Sequence, residues 1–483
     1  HKTAVDGQLS AQGGQLAGDG GFIETSGDIV SIGDHSSIQA NAPQGKAGQW
    51  LIDPVDITIS DDGTDESENG TNIRTSFITD TLRKGSHVIL DTHKDGNKEG
   101  TITVNGAINV QDYSRATLTL NANKAININA DISFTGESNP YLTLITTEDN
   151  SSINNRANIN IGNGTLDITT GQKGVLNVGS IGADTVDIKT NTIKQAEGVT
   201  VNPLTIKNLN LHQANPDKSI YIGDTASSST GAESMAEASL FASGGVFSKV
   251  ENLKLIAGSN QDIHLKDVDF QNANITGYQK YLHSRRTLNI AGNVSTKGSL
   301  LVNTEKFNVA DNARLISSGL KLMTRNNSDT DDEVSTIRAG SNAKIISTNN
   351  EAFTYYPDNF YLMIVNSPNL TEDDSINYDF LNALEGFSKY EVGNNRDFLA
   401  MEGGQLNKSI TFKGNNIYLQ DGSIQMQGNG TLNLIARDEI GLVNIKLNMG
   451  EGNLNMMAGN LNVYDSQVSG TGNLYLNTAV TDG

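Results

Sequence analysis

The chain of 483 residues is 36% apolar, and 49 of its residues are glycine. That apolar share lies below the ~45–50% of ordinary globular domains and helix formers are few, which excludes large helical cores. Leucine, isoleucine and valine recur too regularly for a disordered chain. With 55 acidic against 34 basic residues and a net charge of −21, the surface repels phosphate backbones, and nucleic-acid binding is not expected.

No apolar run is long enough to span a bilayer as a helix, so membrane insertion is not expected either. Cysteine is absent, which removes disulfides, zinc-thiolate sites and cysteine nucleophiles together. It also suits a chain that crosses an oxidising compartment unfolded. The chain opens with His1-Lys2-Thr3 rather than methionine, and so reads as an interior piece of something longer.

In chain order, residues 1–60 form an entry segment. Residues 61–214 carry apolar-polar-apolar triplets: Ile102/Val104, Leu118/Leu120, Ile126/Ile128, Leu142/Leu144 and Gly164-Thr165-Leu166-Asp167-Ile168. Such period-two triplets read as short strands with one buried face. Residues 215–260 break the rhythm with a strand-like run, Ser219 to Ile222, a possible helix from Ala232 to Ala242, and Phe247-Ser248-Lys249-Val250. Triplets resume over 261–350, as in Leu288/Ile290.

A second break, 351–396, repeats the scheme. It has a run from Phe360 to Val365, a possible helix from Asp374 to Leu384, and Phe387-Ser388-Lys389-Tyr390. Over 397–483 the pattern returns as Ile410/Phe412, Gly430-Thr431-Leu432-Asn433-Leu434, Gly452-Asn453-Leu454-Asn455-Met456, Leu461/Val463 and Gly472-Asn473-Leu474-Tyr475-Leu476.

No such strand can bury its inner face alone, whereas stacking coils at about 4.8 Å builds a continuous narrow core. The expected fold is all-β: a right-handed parallel β-helix of roughly 18–20 coils, with two extra-helical insertions containing short helices. Asparagine at the turns fits, because it tolerates left-handed backbone and its amide can ladder onto the next coil. A β-sandwich would lack a repeated Gly-x-Leu-x-Leu unit.

The chemistry expected is binding rather than catalysis. Asp-Asp pairs at 61–62, 331–332 and 373–374 fall in polar loops, not on alternating strands where a β-helical hydrolase would hold its acid and base. No HExxH, Gly-x-Ser-x-Gly elbow, EF-hand or Gly-Gly-x-Gly-x-Asp repeat occurs. Neither a metal site nor a cofactor is expected. Trp50, the single tryptophan, reads as a core plug beside Leu51 and Ile52, with Asp53-Pro54 ending its strand.

Two segments carry a family likeness: Gly20-Gly21-Phe22-Ile23-Glu24-Thr25-Ser26-Gly27, and Gly45-Lys46-Ala47-Gly48-Gln49-Trp50-Leu51-Ile52-Asp53-Pro54-Val55-Asp56-Ile57-Thr58-Ile59. The pair resembles the junction in large exoproteins of two-partner secretion systems. It is especially similar to the high-molecular-weight, filamentous-haemagglutinin-like adhesins of Gram-negative respiratory bacteria. The resemblance implies a right-handed β-helical passenger, exported by an outer-membrane secretion partner and displayed at the bacterial surface or secreted. It also implies adhesion to host cells through sialylated glycoproteins, and hexose addition at Asn-x-Ser/Thr by a cytoplasmic glycosyltransferase.

On that likeness the sequons at Asn69, Asn150, Asn163, Asn274, Asn293, Asn326, Asn369, Asn407 and Asn429 become candidate glycosylation sites. Aromatics are only 6% of the chain, yet they cluster in 351–396. The turn Tyr356-Pro357-Asp358-Asn359 is expected to expose Tyr355 or Tyr356, and Arg396 could meet a sugar carboxylate. Tyr355, Tyr356, Asn359 and Arg396 are therefore the candidate glycan site, while Phe360, Tyr361, Phe380 and Phe387 read as a small satellite core tying the insertion to the β-helix. A fibre stalk and a β-helical polysaccharide-degrading enzyme are the alternative readings.

Overall fold

The triplets fold as strands whose alternate side chains are sealed inside. Ile102 and Val104, Leu118 and Leu120, Ile126 and Ile128, and Leu142 and Leu144 are all fully buried. Successive strands pair in parallel and in register, so like sits on like: Ile102 pairs with Ile126, Ile126 with Ile153, and Ile153 with Leu176. Each fully buried aliphatic side chain is worth about 1.5–3 kcal/mol relative to exposure. A one-residue slip would turn a whole strand's apolar set outward, which holds the register.

The computed structural model describes the chain except for residues 63–69, 94–98, 112–115, 137–138, 224–234, 259–260, 280–286, 324–335, 357–360, 366–373, 394–397 and 479–483. It is a parallel β-helix in two units, His1–Lys218 with Thr225–Lys254 and Ser219–Asp224 with Leu255–Gly483. Strands take up 58% of it and helices 4%, as a glycine- and asparagine-rich, leucine-punctuated chain requires. No helix among the described residues is long and apolar enough to cross a membrane.

In the first unit each coil contributes to three faces. One face stacks Phe22–Ser26, Gln49–Asp53, His87–Asp91, Thr117–Ala122, Tyr141–Thr146, Thr165–Thr169, part of Ser180–Thr190, and Ile206–Gln213. A second stacks Ile57–Ser60, Thr101–Val104, Ala125–Ile128, Ser152–Asn155, Val175–Val178 and Thr192–Gln195. The third runs through Ile108–Gln111, Ile132–Thr135 and Asn158–Asn160.

The ladder expected at the turns occurs where Asn342 Nδ2 donates to Asn312 Oδ1 at 3.2 Å, and outward-facing asparagines within the strands ladder as well. Asn154 Nδ2 donates to Asn127 Oδ1 at 2.8 Å, and Asn177 Nδ2 to Asn154 Oδ1 at 2.6 Å. In the second unit Asn455 Nδ2 donates to Asn433 Oδ1 at 3.1 Å. Asn312, Asn342, Asn350 and Asn444 adopt the left-handed backbone that turns a corner, as asparagine does more easily than most residues.

The two halves of the signature pair as adjacent strands. Ile23 stacks on Trp50 and Thr25 on Ile52. Trp50 is fully buried and donates its Nε1–H to Thr25 Oγ1 at 3.1 Å. Its strand ends at Asp53, just before Pro54.

At two places the chain doubles back. In the first unit Thr71–Arg74 pairs with Ile57–Ser60, whose other neighbour is the later strand Thr101–Val104. Helix α1, Thr75–Arg83, follows at once and buries Ile78 and Leu82. The sequence reading does not foresee it, because nine residues are too few to show helical periodicity inside a strand-rich stretch.

In the second unit Asp374–Asn377 lies between Thr336–Ala339 and the earlier strand Tyr361–Val365. Helix α2, Tyr378–Ala383, follows it. The helix expected over Asp374 to Leu384 is thus shorter, with a strand at its start. Of the helix expected over Ala232 to Ala242, residues 232–234 lie outside the described residues, and the rest holds one 3-10 turn, Ala238–Leu240.

The 351–396 stretch is also less separate than its sequence suggests. Ala352–Tyr356 pairs with Leu320–Met323 and with Lys389–Val392, and Tyr361–Val365 pairs with Phe398–Met401. Its strands belong to the stacked columns because their alternation continues the inward pattern at Phe353, Tyr355, Leu362 and Ile364.

Candidate functional site

Tyr355 is a correction to the expected sugar site. It is fully buried, on the inward column between Leu322 and Val392. Period-two alternation from Phe353 dictates this, since Tyr355 lies inside the strand Ala352–Tyr356. Tyr356 faces outward, and Lys321 Nζ lies 5.6 Å from its ring centroid. Asn359 and Arg396, along with Phe360, lie outside the described residues.

Phe307, Phe380, Phe353, Phe387 and Tyr390 form a chain of ring contacts. Phe380 meets Phe307 and Phe353 at 5.9 Å, Phe387 meets Phe353 at 6.0 Å, and Tyr390 meets Phe387 at 5.9 Å. Phe380 and Phe387 are buried, as core residues are expected to be.

What the structure does place on this side of the second unit is a groove that the sequence reading missed. Its first wall is α2. Asn377 caps the helix by accepting the Phe380 N–H at 2.9 Å, and it also bonds both backbone groups of Ala339. This leaves Asp379 and Asn382 on the outer side of the helix. Lys408 closes the other end, donating to the Asn382 carbonyl at 2.9 Å and to the Leu384 carbonyl, with its ammonium 5.3 Å from the Tyr390 ring centroid. Burial lowers the Lys408 pKa to about 8, against the raising effect of Glu385 and alongside the lowering effect of Lys344.

The floor and far wall come from successive coils: Glu402, Gly403, Gly404 and Gln405, then Asp421, Ser423 and Gln425. Tyr378 lies beneath, donating its hydroxyl to the Glu402 carbonyl at 2.6 Å, and burial, then Glu402, push its pKa up. Gly404 is required there, since a Cβ would sit 2.3 Å from the Tyr378 ring. The groove holds about 720 Å³, within the usual range of ligand clefts.

Gln405 and Gln425 stand in register on neighbouring coils, with Gln405 Nε2 3.5 Å from Gln425 Oε1, and Gln427 Nε2 donates to Gln405 Oε1 at 3.0 Å. Asn382 Nδ2 donates to the Gln405 carbonyl at 2.9 Å. The side chains of Asp379, Glu402 and Ser423 have no partner among the described residues, and no cationic side chain lines the groove. The signal available in the sequence was weak: a glycine pair behind Glu402 and a polar run on the outer side of a six-residue helix.

A smaller groove, of about 440 Å³, lies in the first unit beside Asn163. Asp184 and Lys207 pair across it at 3.1 Å. Six candidate sequons fall on described residues, and Asn150, Asn163, Asn274, Asn293, Asn407 and Asn429 are all exposed. Asn69, Asn326 and Asn369 lie outside the described residues, as do Asp331, Asp332 and Asp373, while Asp374, expected in a polar loop, begins the strand Asp374–Asn377. No cluster of three or more acidic or histidine side chains able to hold a metal occurs among the described residues.

Strand-borne carboxylates do occur. Asp167 and Asp187 stand in register on adjacent coils, and Asn210 Nδ2 donates to Asp187 Oδ1 at 2.7 Å. Burial, then the charge of Asp187, raise the Asp167 pKa. Neither a protein-family model nor a curated protein matches the chain.

Proposed function

We propose that this chain is the receptor-binding part of a bacterial surface or secreted adhesin that attaches to host-cell glycoconjugates, carried out by an outer-membrane secretion partner. The observation that carries the reading is the signature at 20–27 and 45–59, whose two halves fold as one unit, Ile23 on Trp50 and Thr25 on Ile52. A frame with a sealed interior and polar outer ladders has its chemistry on its sides, which suits recognition of extended surface glycans. Six exposed sequons support the hexose-modified form of the same protein.

A stalk segment is the second reading. It is favoured by the burial of Tyr355, which withdraws one expected contact from the surface. Removing 351–396 would not separate the two, because that stretch supplies strands to the stacked columns.

The test is saturable binding of the purified chain to epithelial cells, with and without prior removal of cell-surface glycans by glycosidases. The adhesin reading expects binding that glycan removal abolishes. Absence of binding to untreated cells refutes it in favour of the stalk.

A further inference from the structure

The groove beside α2 has a definite chemistry. Three carboxylates, Asp379, Glu402 and Asp421, face it together with the amides of Asn382, Gln405 and Gln425 and the hydroxyl of Ser423. Carboxylates only accept hydrogen bonds, while amides and hydroxyls both donate and accept. Such a set suits vicinal hydroxyls, each of which donates to one wall and accepts from the other.

Gln405 and Gln425 repeat along the stacking direction, one per coil. They therefore offer two like amides about 4.8 Å apart to successive hydroxyls of one ligand. The charge is equally definite. An anion placed there meets three carboxylates and no lysine or arginine among the lining residues, the Lys408 ammonium being held by the Asn382 and Leu384 carbonyls at the end of α2.

A metal ion is a poor fit, since no three acidic or histidine groups converge for one among the described residues. No exposed ring offers a stacking platform, because Tyr378 is packed against Gly404 and is 3% exposed. Single-site affinity is therefore modest and depends on hydrogen bonding.

We propose that this groove binds an uncharged, hydroxyl-rich oligosaccharide and rejects the same glycan once it is capped with an anionic sugar. The inference rests on the adhesin reading and names the ligand class of one site within it. It departs from the sialylated ligand that the family resemblance implies.

The experiment measures binding of the full chain to a galactose-terminated glycan, uncapped and sialic-acid-capped, on a biosensor surface. Three variants are compared: Asp379→Asn, Gln425→Ala and Ser423→Trp. All three positions are exposed, and a far-UV circular dichroism spectrum and thermal melt like those of the unaltered chain certify the fold. The expected result is at least tenfold tighter binding of the uncapped glycan, a loss of fivefold or more in Asp379→Asn and Gln425→Ala, and no detectable binding by Ser423→Trp, whose indole fills the groove.

Equal or tighter binding of the capped glycan overturns the proposal. So does full affinity in all three variants, or displacement of the uncapped glycan by spermine, which would mark the groove as a polycation site. Cell attachment that survives in Ser423→Trp removes the groove but leaves the adhesin reading standing. Failure of the unaltered chain to attach removes the adhesin reading itself.

Discussion

The buried contact between Trp50 and Thr25 is the sharpest place to test how the signature works. Thr25 is 2% exposed and Trp50 is fully buried. The threonine hydroxyl accepts the indole N–H at 3.1 Å and donates to the Leu51 carbonyl at 3.3 Å. Thr25→Val keeps the side-chain shape and removes only those two bonds. A buried indole N–H left without an acceptor costs about 1–3 kcal/mol, and the longer bond to Leu51 adds a smaller increment, so the expected loss is about 2 kcal/mol.

Urea unfolding followed by far-UV circular dichroism and by the fluorescence of the single tryptophan measures it, and coincident curves certify a two-state comparison. Thr25→Ser should recover most of the loss. Trp50→Phe, followed by circular dichroism alone, removes the orphaned donor, so in that background Thr25→Val should cost about 1 kcal/mol less. A Thr25→Val midpoint that gives less than about 0.5 kcal/mol, or strict additivity with Trp50→Phe, would refute the view that this hydrogen bond ties the signature's halves together.

Asp167→Asn should stabilise the chain at neutral pH by about 0.5–1.5 kcal/mol, since it replaces a like-charge pair with an amide able to donate to Asp187. Because the folded-state pKa of Asp167 is raised, its contribution to stability falls as pH rises through that range, and the variant's urea midpoint should lose this fall. Glu391 behaves oppositely. Burial raises its pKa, but hydrogen bonds from Lys389 and Lys413 outweigh this and the net shift is downward. Its stabilisation is thus present at neutral pH and lost as pH falls through the folded-state value, and Glu391→Gln should cost about 1–2 kcal/mol at pH 7 and nearly nothing in acid, measured by thermal melts at both pH values. Gly404→Ala should cost about 1–3 kcal/mol in urea unfolding, because its Cβ meets the pinned, buried Tyr378 ring. Gly441→Ala should cost less, since the Tyr418 ring it meets is only partly buried and can move.

The repeat architecture was written in local pattern. Glycine, then a polar residue, then an apolar-polar-apolar triplet admits one exposed and one buried face, and only stacking can cover many such faces at once. Leu432, Leu434, Leu454 and Met456 sit inside as their spacing requires. In the final coil, Leu474 and Leu476 share that spacing but are about half exposed, because no further coil of the described residues covers them. Trp50 and the asparagine ladders were equally legible.

The candidate site was not. Tyr355 and Tyr356 are adjacent in sequence, and only their register against Leu322 and Met323 decides which one is inside. Burial of a side chain in a stacked coil is a property of its parity along the strand.

Composition and spacing alone therefore established a parallel, coil-stacked β fold with asparagine corners, because a period of two and a recurrence near twenty residues are local facts about the chain. The doubling back at Thr71–Arg74 and Asp374–Asn377, the helices that follow, and the groove lined by Asp379, Glu402 and Asp421 were decided by tertiary structure. Those three carboxylates are up to 42 residues apart, and nothing in the local pattern says that α2 will lie against the coil turns that carry the other two.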